Sequence, residues 1–263
     1  MFNLSRKAFG GLLLTTLLVA ACGSSTATPV AGQTSGPTGV TATGTLASGT
    51  LATDNGSGLS GAIAAFSNIT SYKFTMTLAG GTFGASLSAL GGATATGSQP
   101  FTMGGTVVEG ANPAADIKMG SIEMIELGGF QYTNMGAGGF VKTASSGTSL
   151  ADSFSPATMF GSMIDVSTYG GYVKVGAETK NGVMSDHYQA NQTTLSQYGS
   201  MAGVANATWA GDVWIAQNGG YPVSMNITAK AADNSVAYQI LFDISNVNDP
   251  ANTVTVPSNV TSY

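Results

Sequence analysis

Few side chains in this 263-residue chain can do chemistry alone, and they are thinly spread. The one histidine, His187, follows Asp186 in a segment that reads as a strand. Adjacent strand residues project to opposite faces, so the two make no acid–base pair and His187 reads as a surface side chain. Ser200, within Gly199-Ser200-Met201-Ala202-Gly203, is out of place for a G-x-S-x-G nucleophile elbow. Glu123 and Glu126, three apart in a predicted strand, face opposite sides; they read as solvated or edge charges rather than paired catalytic carboxylates. Asp233, Asp243 and Asp249 lack the spacing of a calcium loop. The chain has no G-x-G-x-x-G and no P-loop; Gly136–Gly139 is a turn. Trp209 and Trp214, an odd number of residues apart, point to opposite faces of one strand, so at least one belongs to the core. The expectation is a protein with no catalytic residues, no metal and no cofactor, hence not an enzyme.

The only cysteine, Cys22, has a different meaning. It follows Leu18-Val19-Ala20-Ala21, behind a positive pair (Arg6, Lys7) and an apolar run over 12–20. Charge, short apolar run and small residues make a secretory signal. That run is shorter than the ~20 apolar residues a spanning helix needs. The cysteine directly after Val-Ala-Ala resembles a bacterial lipobox, in which Cys22 is lipidated and becomes the mature N-terminus. The division that follows is a signal peptide over 1–21, a lipidated cysteine and tether over 22–58, and one folded domain over 59–263. The protein is then exported and held at the cell membrane or envelope by its N-terminal lipid. A single cysteine leaves no intramolecular disulfide and no thiolate zinc site.

Cleavage before Cys22 removes Arg6 and Lys7, moving the formal net charge from −5 to −7 and leaving no arginine. An acidic chain without Lys/Arg clusters does not neutralise phosphates, which excludes nucleic acid as a partner. It also lacks a polybasic membrane patch and the guanidinium fork that grips carboxylates and phosphates. Charged residues are 8% of the chain, against about 25% in average domains. The surface is therefore polar through Ser, Thr, Asn, Gln and Gly, as is common in exported proteins.

Residues 23–58 are almost wholly Gly, Ser, Thr, Ala and Pro, which predicts a disordered tether. At 5–6 Å × √n its reach is roughly 30–35 Å. Order is expected from Leu59, where Leu59, Ile63 and Phe66 recur at helical spacing. Tyr72, Phe74, Met76 and Leu78 then alternate with Lys and Thr as one face of a half-buried strand. Further strands are predicted at 101–109, 115–119, 121–127, 130–134, 140–143, 172–179, 183–190, 207–217, 222–231 and 235–245. Asn181-Gly182 is a strong hairpin signal, and Val254–Pro257 is expected to close the domain. Ser155 and Pro156 open a short helix to Ile164. A second is expected over 193–201, with Leu195, Tyr198 and Met201 aligned. Strands that do not alternate regularly with helices argue against a parallel α/β fold. The class is mainly β (α+β): a long antiparallel sheet with two or three short helices.

The order of these pieces resembles a known group. A lipobox and tether precede a helix and a Tyr-Lys-Phe strand; Gly128-Gly129-Phe130-Gln131-Tyr132-Thr133 follows. Near the end stand Val213-Trp214-Ile215, a hairpin through Asn218-Gly219-Gly220, and Phe242-Asp243-Ile244-Ser245-Asn246-Val247-Asn248. Over about residues 59–257 this resembles the LppX/LprG-type lipoproteins, relatives of the LolA/LolB carriers. The resemblance implies a curved antiparallel half-barrel, helices on its concave side, and an apolar or lipidated ligand between them. It carries over no individual ligand residue. The candidate lining from the chain itself is Phe66, Met76, Met159, Phe160, Met163, Ile164, Leu195 and Tyr198. Methionine is flexible and suits variable apolar ligands, though it also fills ordinary cores; Met103, Met124 and Met201 share that ambiguity. The helix Pro156–Ile164 reads either as a mobile lid or as a plain core cover. Two functions follow: a membrane-anchored lipoprotein that binds or shuttles an apolar or lipidated molecule, or a non-transporting structural or interaction module of the envelope. A tightly filled concave face favours the second.

Overall fold

The computed structural model describes residues 59, 61–62, 65–81, 100–136, 138–163, 171–190, 192–196, 198–204 and 206–262. The signal segment, Cys22, the tether, Ile63 and Ile164 lie outside them, as do the side chains of Met163 and Met201.

Helical backbone at Leu59, Gly61, Ala62 and Ala65 runs into a 3-10 turn, Phe66–Asn68. Strand β1 (Ser71–Gly80) follows, then β2 (Phe101–Val108), β3 (Ala114–Met119), β4 (Ile122–Leu127), β5 (Phe130–Asn134) and β6 (Phe140–Ala144). Two helices intervene, α1 (Leu150–Ser153) and α2 (Pro156–Met163). Next come β7 (Tyr172–Lys180), β8 (Val183–Ala190), α3 (Gln192–Leu195) and α4 (Tyr198–Ala202). The chain ends with β9 (Thr208–Ala216), β10 (Pro222–Lys230), β11 (Val236–Ser245) and β12 (Val260–Ser262).

All twelve strands form one curved, unclosed sheet in the order β12-β6-β5-β4-β3-β2-β1-β11-β10-β9-β8-β7. Every pairing is antiparallel except β12 with β6. The order has a simple logic. Strands β1 to β6 are a run of neighbours, β7 to β11 are another, and the β1–β11 pair joins them.

Alternation in β1 sets the faces. Tyr72, Phe74, Met76 and Leu78 are buried on the inner side, while Lys73 and Thr75 point outward. Register carries that parity across the sheet. Met76 lies opposite Phe242 of β11 and Met103 of β2; Phe242 lies opposite Met225 of β10, and Met225 opposite Val213 of β9. Trp209 falls on the inner face and Trp214 on the outer, as the odd spacing requires.

The helices depart from expectation in detail. Ser155 Oγ accepts from Thr158 N at 3.2 Å, the predicted cap of α2. The segment 193–201 is not one helix: it breaks after Leu195, and Gly199 N donates back to Ser196 O at 3.0 Å. Helix α1 has no counterpart among the sequence expectations. It is held at its start by Ser149 Oγ, which accepts from Asp152 N, and by the Glu126 carboxylate, which accepts from Leu150 N. Glu126 thus serves an inward structural role, whereas Glu123 lies on the outer face and pairs with Lys118 at 3.2 Å. Val254–Pro257 forms no strand; closure comes from β12 instead.

Candidate functional site

The inner face is apolar from β3 to β9. Ile117, Val107, Met103, Phe74, Met76, Phe242, Ile244, Met225, Ile227 and Val213 are all buried there. Such a surface must be covered, at about 25 cal/mol per Å² of apolar area, and the short helices cover it with aromatic side chains. Phe160 of α2 is 1% exposed. Its ring meets Phe66 edge-on at 5.8 Å and Phe242 at 6.2 Å. Phe154, between α1 and α2, stacks on Phe74 at 5.8 Å. The Tyr72 hydroxyl, which burial pushes far above its usual pKa, donates to the Phe154 carbonyl. The concave face is thus filled by its own helices across the part the structure describes.

The candidate lining residues divide into two groups. Phe66, Met76, Met159 and Phe160 are buried around the α2 plug. Leu195 and Tyr198 lie farther along, over β9. Gly211 of β9 makes the notch for Leu195; a Cβ there would come within 2.8 Å of Leu195 Cδ1. Tyr198 packs on Trp209 at 6.2 Å.

At one end of the half-barrel is an open recess of about 520 Å³. Four segments meet there: Ala65, Asn68 and Ile69 before β1, the β7–β8 turn through Met184, the β9–β10 turn through Tyr221, and Val247 and Asn248 after β11. Among the described residues its lining carries no charged side chain. Asn248 explains part of the Ser-Asn-x-Asn ending. It sits at φ 55°, a conformation Asn tolerates better than most residues. Its Oδ1 accepts from Thr70 N at 2.7 Å and Thr70 Oγ1 at 3.0 Å, and its Nδ2 donates to Asn68 O at 3.2 Å. The clasp ties the chain leaving β11 to the chain entering β1.

The outer face carries a polar cluster that the sequence reading missed. His187 is not a free surface side chain, being only 17% exposed. Its Nε2 lies 2.8 Å from Asp212 Oδ1 and its Nδ1 lies 3.2 Å from Glu178 Oε1. The ring stacks on Trp214 at 4.6 Å. Trp214 Nε1 donates to Glu178 at 2.6 Å, and Gln189 Nε2 to Asp212 at 3.0 Å. These partners come from β7 and β9, on either side of His187 in β8, so only register reveals them. Asp186 faces the other way, as strand parity requires, and binds Lys174 at 2.7 Å. Burial is the largest single effect on its carboxyl and raises it, but the hydrogen bonds from Lys174 and Gln217 and the Lys174 charge together hold it below the usual range. With both ring nitrogens of His187 facing carboxylates, neither is left to activate a nucleophile. Among the described residues no group of three His, Cys, Asp or Glu side chains is arranged to hold a metal. No helix among them is long and apolar enough to cross a membrane.

No family model and no curated protein matches the chain. Solved structures do. LprF from Mycobacterium bovis is 15% identical over 80% of this chain and 99% of its own, with a TM-score of 0.45. The lipoprotein LppX from Mycobacterium tuberculosis is 14% identical over 75% and 96%, at 0.43. A LolA superfamily protein from Nitrosomonas europaea is 8% identical over 77% and 94%, at 0.23. The solved structures this chain is similar to thus include the kinds of protein its sequence resembles, LppX-type lipoproteins and LolA superfamily proteins.

Proposed function

We propose that the protein is an envelope lipoprotein, anchored through Cys22, whose half-barrel takes up an apolar or lipidated molecule in exchange for its own aromatic plug. The observation that carries this reading is the construction of the plug. The apolar inner face is covered by side chains borne on short helices, Phe66, Phe154, Met159 and Phe160, rather than by a second sheet. An acyl chain is chemically equivalent to what those rings supply, so one can replace the other without exposing the sheet to water. Anchoring within roughly 30–35 Å of the membrane puts this surface beside a source of such chains.

Native mass spectrometry of the full chain, gently extracted, tests the reading. A co-purifying lipid, or saturable uptake of a fluorescent fatty acid, supports it. A ligand-free protein that takes up none refutes it. Cys22→Ser should move the protein from the membrane to the soluble fraction; unchanged membrane association refutes the anchor.

A specific observation favours a second reading, a module without ligand. Across the described residues the concave face is already filled, with Phe160 and Phe242 each 1% exposed. In that case the helices are permanent core, and uptake fails even when the Phe160 ring is removed.

A further inference from the structure

The edge hairpin β7–β8 does two things at once. It walls the recess through Gly182, Val183 and Met184. Its tip also folds over the outer face. Lys180 Nζ lies 4.1 Å from the centre of the Trp214 ring. Asn181 Nδ2 donates to Asp243 Oδ1 of β11 at 2.8 Å, crossing the row in which Trp214 and Ser224 stand. Glu178 holds Trp214 Nε1 and faces His187, which Asp212 holds from β9.

We propose that the β7–β8 tip is a latched flap, and that its release opens the recess toward the inner face of β8 and β9. Three observations converge. First, β7 is an edge strand of the sheet, paired among the described residues with β8 alone. A hairpin at an edge peels without breaking the sheet behind it. Second, beyond the packing of Val183 on Trp214, Ala216 and Val223 and the bond that Gln217 N donates to Met184 O, the tip is held by exposed polar contacts. Asn181 to Asp243 is a solvent-exposed hydrogen bond, and Lys180 lies on a ring face; both are the weak kind that opens and closes. The turn itself is relaxed, since Asn181 and Gly182 take the positive φ values, 51° and 80°, that suit this dipeptide. Third, the surface beneath is ready for exposure. Ser224 Oγ is buried with no partner among the described residues, a group that gains by meeting water. On the inner side, Met184 is already half exposed, and Tyr188 and Ile215 stand behind it on the same face. Lifting the tip therefore joins the recess to the inner face of β8 and β9.

The flap is tested without any ligand, so its failure is separate from failure of the uptake reading. In the full chain, Lys180→Gln with Asn181→Gly removes both contacts while keeping the turn's φ. Trp209→Phe in parallel leaves Trp214 as the only tryptophan. Release predicts at least a twofold rise in acrylamide quenching of Trp214. It also predicts at least tenfold faster amide exchange over 183–187, with exchange in β1 and β11 unchanged. Asp243→Ala, on the far partner, should reproduce the effect. Smaller changes in either measurement overturn the proposal. Equal acceleration in β1 and β11 also overturns it, because the contacts would then belong to the global core.

Discussion

Phe160→Ala is the most telling single substitution. The ring is 1% exposed and touches Phe66 and Phe242, on elements that cannot follow it. Phe242 is pinned in the middle of the sheet between β1 and β10. Phe66 is held by the 3-10 turn and by the Asn248 clasp just after it. Little collapse is available, which places the loss in the usual 3–5 kcal/mol range for a buried Phe. At about 2–4 °C per kcal/mol for a domain of this size, Tm should fall by roughly 6–20 °C, and the cold protein should stay folded because domains carry about 5–15 kcal/mol. The vacated space is lined by Phe66, Phe242 and their neighbours, so it is dry and suited to a small apolar guest. Benzene should bind it and restore part of the lost Tm, by about 2.7 kcal/mol at a hundredfold excess over Kd. Differential scanning calorimetry with and without benzene measures both. A Tm drop below about 2 °C refutes the packing of the plug. A full drop without benzene rescue refutes rigidity of its frame and shows that the helices close over the gap.

Three further outcomes are expected. Asn248→Gly keeps the positive φ and removes four hydrogen bonds, costing about 1–3 kcal/mol because the group is exposed and three of the bonds share one acceptor atom; Asn248→Ala should cost about 1 kcal/mol more through left-handed strain, read as a lower urea midpoint at unchanged m. Gly105→Ala would bring a Cβ within 2.1 Å of Asp116 O on the neighbouring strand, so it should separate β2 from β3 and destabilise by more than about 3 kcal/mol, seen as faster exchange there. Burial raises Tyr72 strongly and pushes Tyr238 up to about 12. Their folded-state pKa values exceed the unfolded value of about 10, so their contribution is complete below pH 10 and is lost as pH rises toward 12; Tm should fall over that window alongside tyrosinate absorbance, and a flat profile would contradict the burial of both rings.

Much of the sheet was legible because its signals are local. Asn181-Gly182 names its own hairpin, Ser155-Pro156 its own cap, and strand parity separates Trp209 from Trp214. What was not legible depends on partners distant in the chain. A lone Ser149 does not announce α1, which also needs Glu126 from β4. Glu178 and Asp212 become neighbours of His187 only once β7, β8 and β9 are in register. Strand β12 forms because residues 260–262 meet β6, some 120 positions earlier; nothing within Val260–Ser262 encodes that. Whether the concave face is filled was also hidden, since periodicity places Phe66 and Phe160 inward without saying that their rings meet.

The order of strands sets how the chain can assemble. Between β1 and β6, and again between β7 and β11, sheet neighbours are sequence neighbours, so each half can assemble locally, its short-turn hairpins such as β3–β4 and β7–β8 closing within microseconds. The central seam is different, because Lys73 waits for Ser245. Closing so long a loop is the slow, topology-limited step. Until β11 exists, β1 presents an unpaired edge lined on one face by Tyr72, Phe74, Met76 and Leu78, a template for aggregation. A chain stopped between β10 and residue 236 would be two open half-sheets with no centre, and the seam makes about the last tenth of the sequence the part that commits the first strand to its place.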